Sequence, residues 1–582
     1  MDAILDKGRR HPPLGLGPRG LAPNLYDLIM FILIAGAFVA LARGAREMAA
    51  PLAQLDIAPV TLDPALLPQY ALRTTLRMFA AIFASLVFTF VVATLAAKSR
   101  KAALLIVPAL DILQSVPVLG FLTFTVVFFM GLFPGRQLGA ECAAIFAIFT
   151  SQAWNMTFSF YQSLRTIPRD LDEVSRHFRL SGWLRFWRLE VPFAAPGLIW
   201  NTMMSMSGGW FFVVASEAIT VGDTTVKLPG IGSWLALAIE RKNIGAVALA
   251  VATMGAVILA YDQLLFRPIV AWADKFRFEQ TAAQQRPQSW VYDLVRRTRL
   301  LRRLWGPLAW LAARVALIRI EPRAKPARSP HRAIGPVSDA IWIAILLAGA
   351  AYALWLAAGY LQQTLGAHDV LVAFWLGALT LIRVIVLIAI ASVIWVPIGV
   401  WIGLRPWAAE RVQPIAQFLA AFPANVLFPV FVVAIVALHL DPNIWLSPLM
   451  VLGTQWYILF NVIAGASAFP TDLREASTLF RLRSWQWWRD ALLPGIFPYY
   501  VTGALTASGG SWNASIVAEV ASWGDTKIQA AGLGAYIAQA TQAADYPRVV
   551  LGIAVMSIYV VAINRLLWRP FYRLAERRFR LD

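Results

Sequence analysis

Twelve runs of predominantly apolar residues dominate this 582-residue chain. Each is near or above the roughly 20 residues a helix needs to cross a ~30 Å hydrocarbon layer. They fall near 24–44, 70–97, 102–133, 141–161, 196–220 and 245–270, and again near 337–362, 371–403, 414–438, 445–466, 497–520 and 547–568. Backbone N–H and C=O groups in lipid have no water to bond, so a spanning segment must close its own hydrogen bonds. Runs of this kind do so as helices. The chain is therefore expected to be an all-α polytopic membrane protein with about twelve transmembrane helices. The first run follows KGRRHPPLGLGPR and leads into no convincing small-residue cleavage site, so it reads as a retained helix rather than a signal peptide.

The net charge of +19 sits in the connections between runs rather than in a compact basic domain. Nucleic-acid binding needs such a domain or an aromatic platform, and neither is present. The basic segments KGRR, KSRK, 162–195, 464–495, 275–336 and the C-terminal RPFYRLAERRFRLD fall on one side if the runs alternate. By the positive-inside rule that side is the cytoplasm, with both termini there. The 24 tryptophans read as interface anchors and packing groups.

The second six runs repeat the first six. An offset of 302 residues pairs Trp154 with Trp456, Pro168 with Pro470, Asp170 with Asp472, Glu173 with Glu475, Pro192 with Pro494, Glu217 with Glu519, and Gly230 with Gly532. Earlier in each copy the offset is 306, pairing Arg77 with Arg383 and Pro117 with Pro423. Chance does not hold a register that long. The expected organisation is a first unit at 1–274, a basic connection at 275–336 and a second unit at 337–582, with both units in one orientation because each holds an even number of runs. The connection contains WVYDLVRRTRLLRRLWGPLAWLAARVALIRI, which can lie as an amphipathic helix against anionic lipid, and then a Pro-rich stretch. A plain tether explains it as well.

Between the fourth and fifth runs of each copy stands a charged interruption, about 162–195 and 464–497. Pro168 and Pro470 precede a first turn, Asp170 and Asp472 are placed to cap it, and Leu171, Val174 and Phe178 share a helical face. Glu173-Val174-Ser175, Gly182 and Val191-Pro192, then Glu475-Ala476-Ser477 and Leu493-Pro494, resemble the "EAA, glycine, hydrophobic-Pro" loop of membrane subunits of bacterial ABC importers. The chain departs from that pattern at Val174, at the serines, and at Ser484 where glycine is usual. The segments GGWFFVVASEAITVG and GGSWNASIVAEVASWG, followed by GIGSWL and GLGAYI, look most like the nitrate, sulfonate, taurine and bicarbonate branch. The resemblance implies two tandem six-helix units of type I importer fold. It also implies a coupling helix in each loop, two copies of an ATP-binding subunit beneath them, and delivery by a periplasmic substrate-binding protein.

No enzyme site is expected in the chain itself. A phosphate-cradling loop ends in Gly-Lys-Ser/Thr, and no Gly-Lys dipeptide occurs. ATP and Mg would thus be used by the partner subunit. The five histidines lack metal-ligand spacing and the single cysteine, Cys142, forms no cluster. Ionisable groups within spans are functional candidates, which singles out Arg77, Arg383, Glu217 and Glu519 as path residues, with Asn201 and Asn513 beside them. Pro117 and Pro423 break the third runs, and because broken helices often line cavities they are expected to border the path, a plain kink being the other reading. The arginines have two readings, anion contact by a bidentate guanidinium or an internal pair with a glutamate. The glutamates would repel an anion unless paired. The function expected is a permease for a small solute, an anion such as nitrate, sulfonate, taurine or bicarbonate. The alternatives are a permease for a non-anionic solute and a membrane scaffold or carrier not coupled to ATP.

Overall fold

The computed structural model describes residues 59–113, 118–221, 224–276, 289–298, 307, 314, 334–467, 469, 471–482 and 484–578. The expected first run, Pro117, the Gly222-Asp223 pair and most of the 275–336 connection lie outside the described residues.

The first copy runs α1 (Leu67–Lys98), α2 (Arg100–Leu113), α3 (Val118–Leu132), α4 (Gln137–Arg165), α5 (Arg169–His177), α6 (Val191–Glu217), a hairpin of β1 (Ala218–Val221) and β2 (Thr224–Lys227), α7 (Ile231–Glu240) and α8 (Ile244–Tyr261). In the connection, α9 (Trp290–Arg297) packs against the helical turn that follows α8. The second copy runs α10 (Ile334–Gln362), α11 (Ala367–Gly403), α12 (Pro406–Ala421), α13 (Phe428–Ala437), α14 (Trp456–Ser467), α15 (Thr471–Leu479), α16 (Leu493–Ala518), β3 (Val520–Trp523), β4 (Thr526–Gln529), α17 (Leu533–Gln542) and α18 (Tyr546–Ile563).

Among the described residues four helices are long and apolar enough to cross a membrane: Pro64–Lys98, Ile244–Ala273, Ala367–Gly403 and Tyr546–Ala575. Two bent pairs raise the number to six, Ile415–Ala421 with Ala424–Ala437 at 78° and Pro442–Leu452 with Trp456–Ser467 at 45°. The third run of the second copy is thus broken at Pro423, as that proline leads one to expect, and the fourth, expected as one run, is a bent pair as well. Pro423 explains the sharper break, since it sits as N-cap of the 3-10 turn Ala424–Leu427 with an extended backbone that a continuing helix excludes.

The all-α expectation also needs correction at the far ends of α6 and α16. There the β-branched stretches Ala218–Val221 and Thr224–Lys227 form an antiparallel hairpin, as do Val520–Trp523 and Thr526–Gln529. Each hairpin folds back so that Leu228 N donates to Glu217 O and Ala530 N to Glu519 O, both at 2.9 Å. Gly524 turns the second hairpin at φ +59, a conformation that glycine adopts without penalty.

Packing follows the membrane rule that small and polar side chains face inward. On α1 the buried face carries Ala81, Ser85, Thr89, Ala93 and Ala96, whereas Phe83, Val87, Val91 and Leu95 form an exposed stripe at four-residue spacing. α1 meets α4 through a Thr89–Thr157 hydroxyl pair at 3.1 Å. In the second copy α11 approaches α14 through Gly399 and Gly403, one helical turn apart. A Cβ on Gly403 would stand 2.6 Å from the Ile463 carbonyl, and one on Gly399 2.9 Å from Val462.

The copies are joined directly. Asn425 Nδ2 donates to Phe211 O at 3.1 Å, Val118 N to Asn513 Oδ1 at 2.7 Å, and the Ser207 hydroxyl to Ala420 O. The second hairpin reaches the first copy through Gly524 N to Ile239 O at 3.0 Å and Lys242 to Asp525 at 3.0 Å. Gly403→Leu forces α11 and α14 apart and is expected to destabilise the second copy by about 1–3 kcal/mol. Thermal unfolding of the purified protein reads this, and an unchanged midpoint would rule out the close approach.

Candidate functional site

Four π-helical turns mark the ends of the long helices, at Phe186–Glu190, Asp262–Phe266, Trp488–Leu492 and Asn564–Trp568. Each second-copy turn lies 302 residues after its first-copy counterpart. Their cause is a proline just beyond: Pro192, Pro268, Pro494 or Pro570. Proline offers no N–H to the carbonyl four residues back, so that turn widens. Val191 N then bonds Phe186 O, Leu493 N bonds Trp488 O, Arg267 N bonds Asp262 O and Arg569 N bonds Asn564 O, all five residues apart. Pro192 and Pro494 therefore shape the exit from the charged loops.

Within those loops α5 and α15 end in the same device. Arg179 and Arg481 take φ +47 and +52. Leu180 N donates to Ser175 O, Arg179 N to Arg176 O, Leu482 N to Ser477 O, and Arg481 N to Thr478 O, which is the Schellman pattern. Ser175 and Ser477 are buried beneath the helices, with the Ser175 hydroxyl on Asp172 O at 2.7 Å. The N-cap of α5 is Pro168, without a side-chain bond, so Asp170 is not the cap. It sits exposed in the first turn, where it complements the helix dipole. The Asp472 side chain lies outside the described residues. Glu173 and Glu475 are exposed. Phe178 is 70% exposed, and in the second copy Phe480 is 76% and Leu479 84% exposed. A Cβ at Gly182 would meet nothing within 4 Å, so Ser484 at the matching position carries no steric penalty.

The two loops are braced by different chemistry. In the first, Asp172 pairs with Arg185 at 2.6 Å, Arg185 with Glu190 at 3.1 Å, and Glu190 with Lys98 at 2.9 Å. The corresponding second-copy residues are Arg474, Trp487, Leu492 and Leu404. Leu492 is fully buried in an apolar cluster against which Trp487 and Leu404 pack.

At the hairpin end, roughly 40 Å away along α6 at 1.5 Å per residue, the singled-out arginines and glutamates meet. Arg77 holds Glu141 through two guanidinium bonds of 2.5 and 2.7 Å and Glu217 through a third of 2.7 Å, all three groups wholly buried. Glu217 also accepts from Gly232 N at 2.6 Å, in the first turn of α7. A Cβ on Gly230 would lie 2.3 Å from that carboxyl, so only glycine admits the approach. The second copy repeats the plan. Glu519 accepts from Arg383 at 3.2 Å, Thr380 at 2.8 Å and Ala535 N at 3.0 Å, with Gly532 matching Gly230. At the Glu141 position the 302 offset places Asn443, which accepts from Ala531 N at 2.9 Å.

Between the copies, in the middle of α6 and α16, lies a cavity of about 240 Å³. Its polar wall includes Asn155, Ser205, Tyr457, Ser508, Asn513 and Asn564, and Pro423 borders it. No charged side chain lines it among the described residues. Arg77, Arg383, Glu217 and Glu519 do not reach it, because their charges are taken up by one another. Asn201 does not either: its amide binds Ser159 at 2.8 Å and Gly197 O at 3.0 Å, joining α6 to α4. Among the described residues no group of three His, Cys, Asp or Glu side chains is arranged to hold a metal ion.

The sequence profile of the family described as "Binding-protein-dependent transport system inner membrane component" matches residues 85–267 and again 395–581, together more than half of the chain. The chain belongs to that family. Among curated relatives, the "Bicarbonate transport system permease protein CmpB" of Synechococcus elongatus is 28% identical over 196 residues, 34% of this chain and 66% of the relative. The "Nitrate import permease protein NrtB" of Synechocystis sp. is 25% identical over 186 residues, 32% of this chain and 64% of the relative. The protein of the same name from Leptolyngbya laminosa is 26% identical over 193 residues, 33% and 66%. The aligned region thus spans just under two thirds of each relative. The two family matches fall one in each of the two repeated units, 1–274 and 337–582, so this family member carries the membrane unit twice.

Sequence reading missed Glu141, whose acidic side chain opens the fourth apolar run but has no acidic counterpart at the repeat offset. It also missed Tyr457, Ser508 and Asn564, because single hydroxyls and amides in apolar helices carry no pattern. Arg77→Ala leaves two buried carboxylates without their cation and is expected to cost about 3–5 kcal/mol. Arg383→Ala should cost clearly less, because Glu519 keeps its Thr380 and Ala535 donors. Thermal midpoints of the two variants compared side by side check this, and equal losses would refute the difference between the clamps.

Proposed function

We propose that this chain is the permease subunit of an ATP-driven importer for a small planar oxyanion of the nitrate or bicarbonate kind, with both halves of one translocation path in a single polypeptide. The reading has about twelve spans, lies in the inner membrane with both termini cytoplasmic, and leaves ATP and Mg to two copies of a separate ATP-binding subunit. A periplasmic binding protein would deliver the solute to the hairpin end.

The observation that carries the reading is the duplicated loop helix. α5 and α15 end in the same Schellman turn and present Phe178 and Phe480 to solvent at 70% and 76% exposure. An apolar residue held outward on a short helix, in a family of transport components, suits insertion into a groove of a soluble partner. ATP binding would draw the two ATPase subunits together, carry the loop helices with them, and alternate access to the cavity between the copies. The substrates in the relatives' names, bicarbonate and nitrate, support the solute class, as does a cavity with no acidic group among its described lining to repel an anion. A non-anionic solute and an uncoupled scaffold are the competing readings.

Co-purification with a candidate ATP-binding subunit from the same organism, followed by ATP hydrolysis in lipid nanodiscs across nitrate, bicarbonate, taurine and alkanesulfonates, decides among them. Stimulation by nitrate or bicarbonate supports the proposal. Assembly without any anion response removes the anion class, and no assembly removes the coupling role. Phe178→Asp with Phe480→Asp places a charge at each apolar tip and is expected to weaken co-purification at least about tenfold. Wild-type retention of the ATPase by that double variant would defeat the docking assignment. Replacing Glu173 and Glu475 together is expected to reduce coupled hydrolysis, read in the same assay.

A further inference from the structure

A second cavity, of about 340 Å³, lies where α6 and the end of α8 face α12. It is lined by Met203, Met204, Met206, Tyr261, Asp262 and Phe266, among others. The 302 offset carries Met204 to Thr506, Met206 to Ser508, Tyr261 to Ile563, Asp262 to Asn564 and Phe266 to Trp568. Every one of those second-copy residues lines the cavity between the copies. The two cavities therefore contain equivalent walls of the duplicated unit, each opened by the π-turn that precedes Pro268 or Pro570.

Their chemistry has separated. The first-copy wall is mainly thioether and aromatic, and where the second copy has Asn564 it carries Asp262, which accepts from Arg267 at 3.0 Å and Gln263 at 3.1 Å, both of which also line the cavity. The Asp262 carboxylate has no hydrogen to donate, and the Arg267 guanidinium beside it is engaged by that carboxylate. The second-copy wall offers Ser508 and Asn564, and Tyr457 faces them at the position that Asn155 holds in the first copy. The side chains of Tyr457, Ser508 and Asn564 have no protein partner among the described residues, although Ser508 is nearly buried. Gly208 leaves the Tyr457 hydroxyl its space, since a Cβ there would stand 3.2 Å from that oxygen.

We propose that the second-copy wall selects the solute: Tyr457, Ser508 and Asn564 bind a planar oxyanion through neutral O–H and N–H donors, while the equivalent first-copy wall has lost that role. This rests on the permease reading above. Phenol, serine hydroxyl and carboxamide each present a donor hydrogen to an anion's oxygens. Donors without charge bind the ion and release it again, as transit requires.

The test uses the full chain with its ATPase subunits in nanodiscs, titrated with sodium nitrate and with sodium bicarbonate. Tyr457→Phe and Ser508→Ala are each expected to raise the half-stimulating concentration about tenfold, the loss of one hydrogen bond to a charged partner. Ser508→Thr keeps a hydroxyl and should stay near wild type, and Met204→Thr, on the first-copy wall, should leave the value in place. If wild type responds while Tyr457→Phe and Ser508→Ala both stay within about twofold of it, this inference falls and the permease reading stands. If wild type responds to neither anion, the anion reading falls and takes this inference with it. Tyr457→Phe removes a single oxygen and keeps the ring, so it remains informative should Ser508→Ala fail to assemble.

Discussion

The fully buried cluster of Arg77, Glu141 and Glu217 is the constraint on which the hairpin end of the first copy depends. Three charges without water are tolerated only when every donor and acceptor finds a partner. Here the partners come from four elements: Arg77 from α1, Glu141 from α4, Glu217 from the end of α6, and the Gly232 amide from α7. Moving any one of them exposes a charge to lipid-like surroundings, so the four are held in one arrangement. The hairpin follows, because the Glu217 carbonyl receives Leu228 N and the Ser233 hydroxyl at the same point.

Comparison of the two copies separates what the backbone needs from what side chains can exchange. The π-turns, the Schellman ends of α5 and α15, and the glycines against Glu217 and Glu519 are kept at the repeat offset. The π-turns depend on the missing N–H of proline and the close approaches on the missing Cβ of glycine, properties few residues supply, while the Schellman ends are kept with an arginine, Arg179 or Arg481, at positive φ. The braces are kept only in position. Lys98, Glu190, Arg185 and Asp172 form an ion-pair chain where Leu404, Leu492, Trp487 and Arg474 stand in the second copy, with Leu404, Leu492 and Trp487 in apolar contact. Replacing a buried ionic contact by apolar packing of similar bulk can be neutral in stability, because the desolvation term disappears along with the attraction. The substitution therefore preserves the loop while changing its sensitivity to salt.

Much of this was legible in the sequence. Apolar length gave the helices, the offset gave the repeat, and charge in the connections gave the loops. Arg77 with Glu217 and Arg383 with Glu519 stood out because duplicated ionisable groups in apolar runs are rare. Their pairing, rather than contact with the cavity, required three-dimensional distance: Arg77 and Glu217 are 140 residues apart. The bend at Pro423 was legible from the proline itself, which a continuing helix does not tolerate, whereas the bend after Leu452 was hidden because hydropathy averages over a break and no proline marks it. The hairpins were absorbed into the ends of the fifth runs, since β-branched residues are apolar whether they continue a helix or leave it. The cavity's hydroxyls gave no periodic signal at all.

The separation of charge from cavity follows from the same energetics. A fixed cation inside a cavity of about 240 Å³ would hold an anion strongly, since a charge pair in a poorly solvated site is screened little. Pairing each arginine with a carboxylate away from the cavity removes that trap and leaves the wall to dipoles, whose attraction for an ion is weaker and falls off faster with distance. Under the proposed reading, neutral hydroxyls and amides distinguish one oxyanion from another by the placement of donors. A duplicated chain can go further than an assembly of two identical subunits, because one wall can be tuned for the ion while the equivalent wall, free of that demand, packs with methionine and aromatic rings.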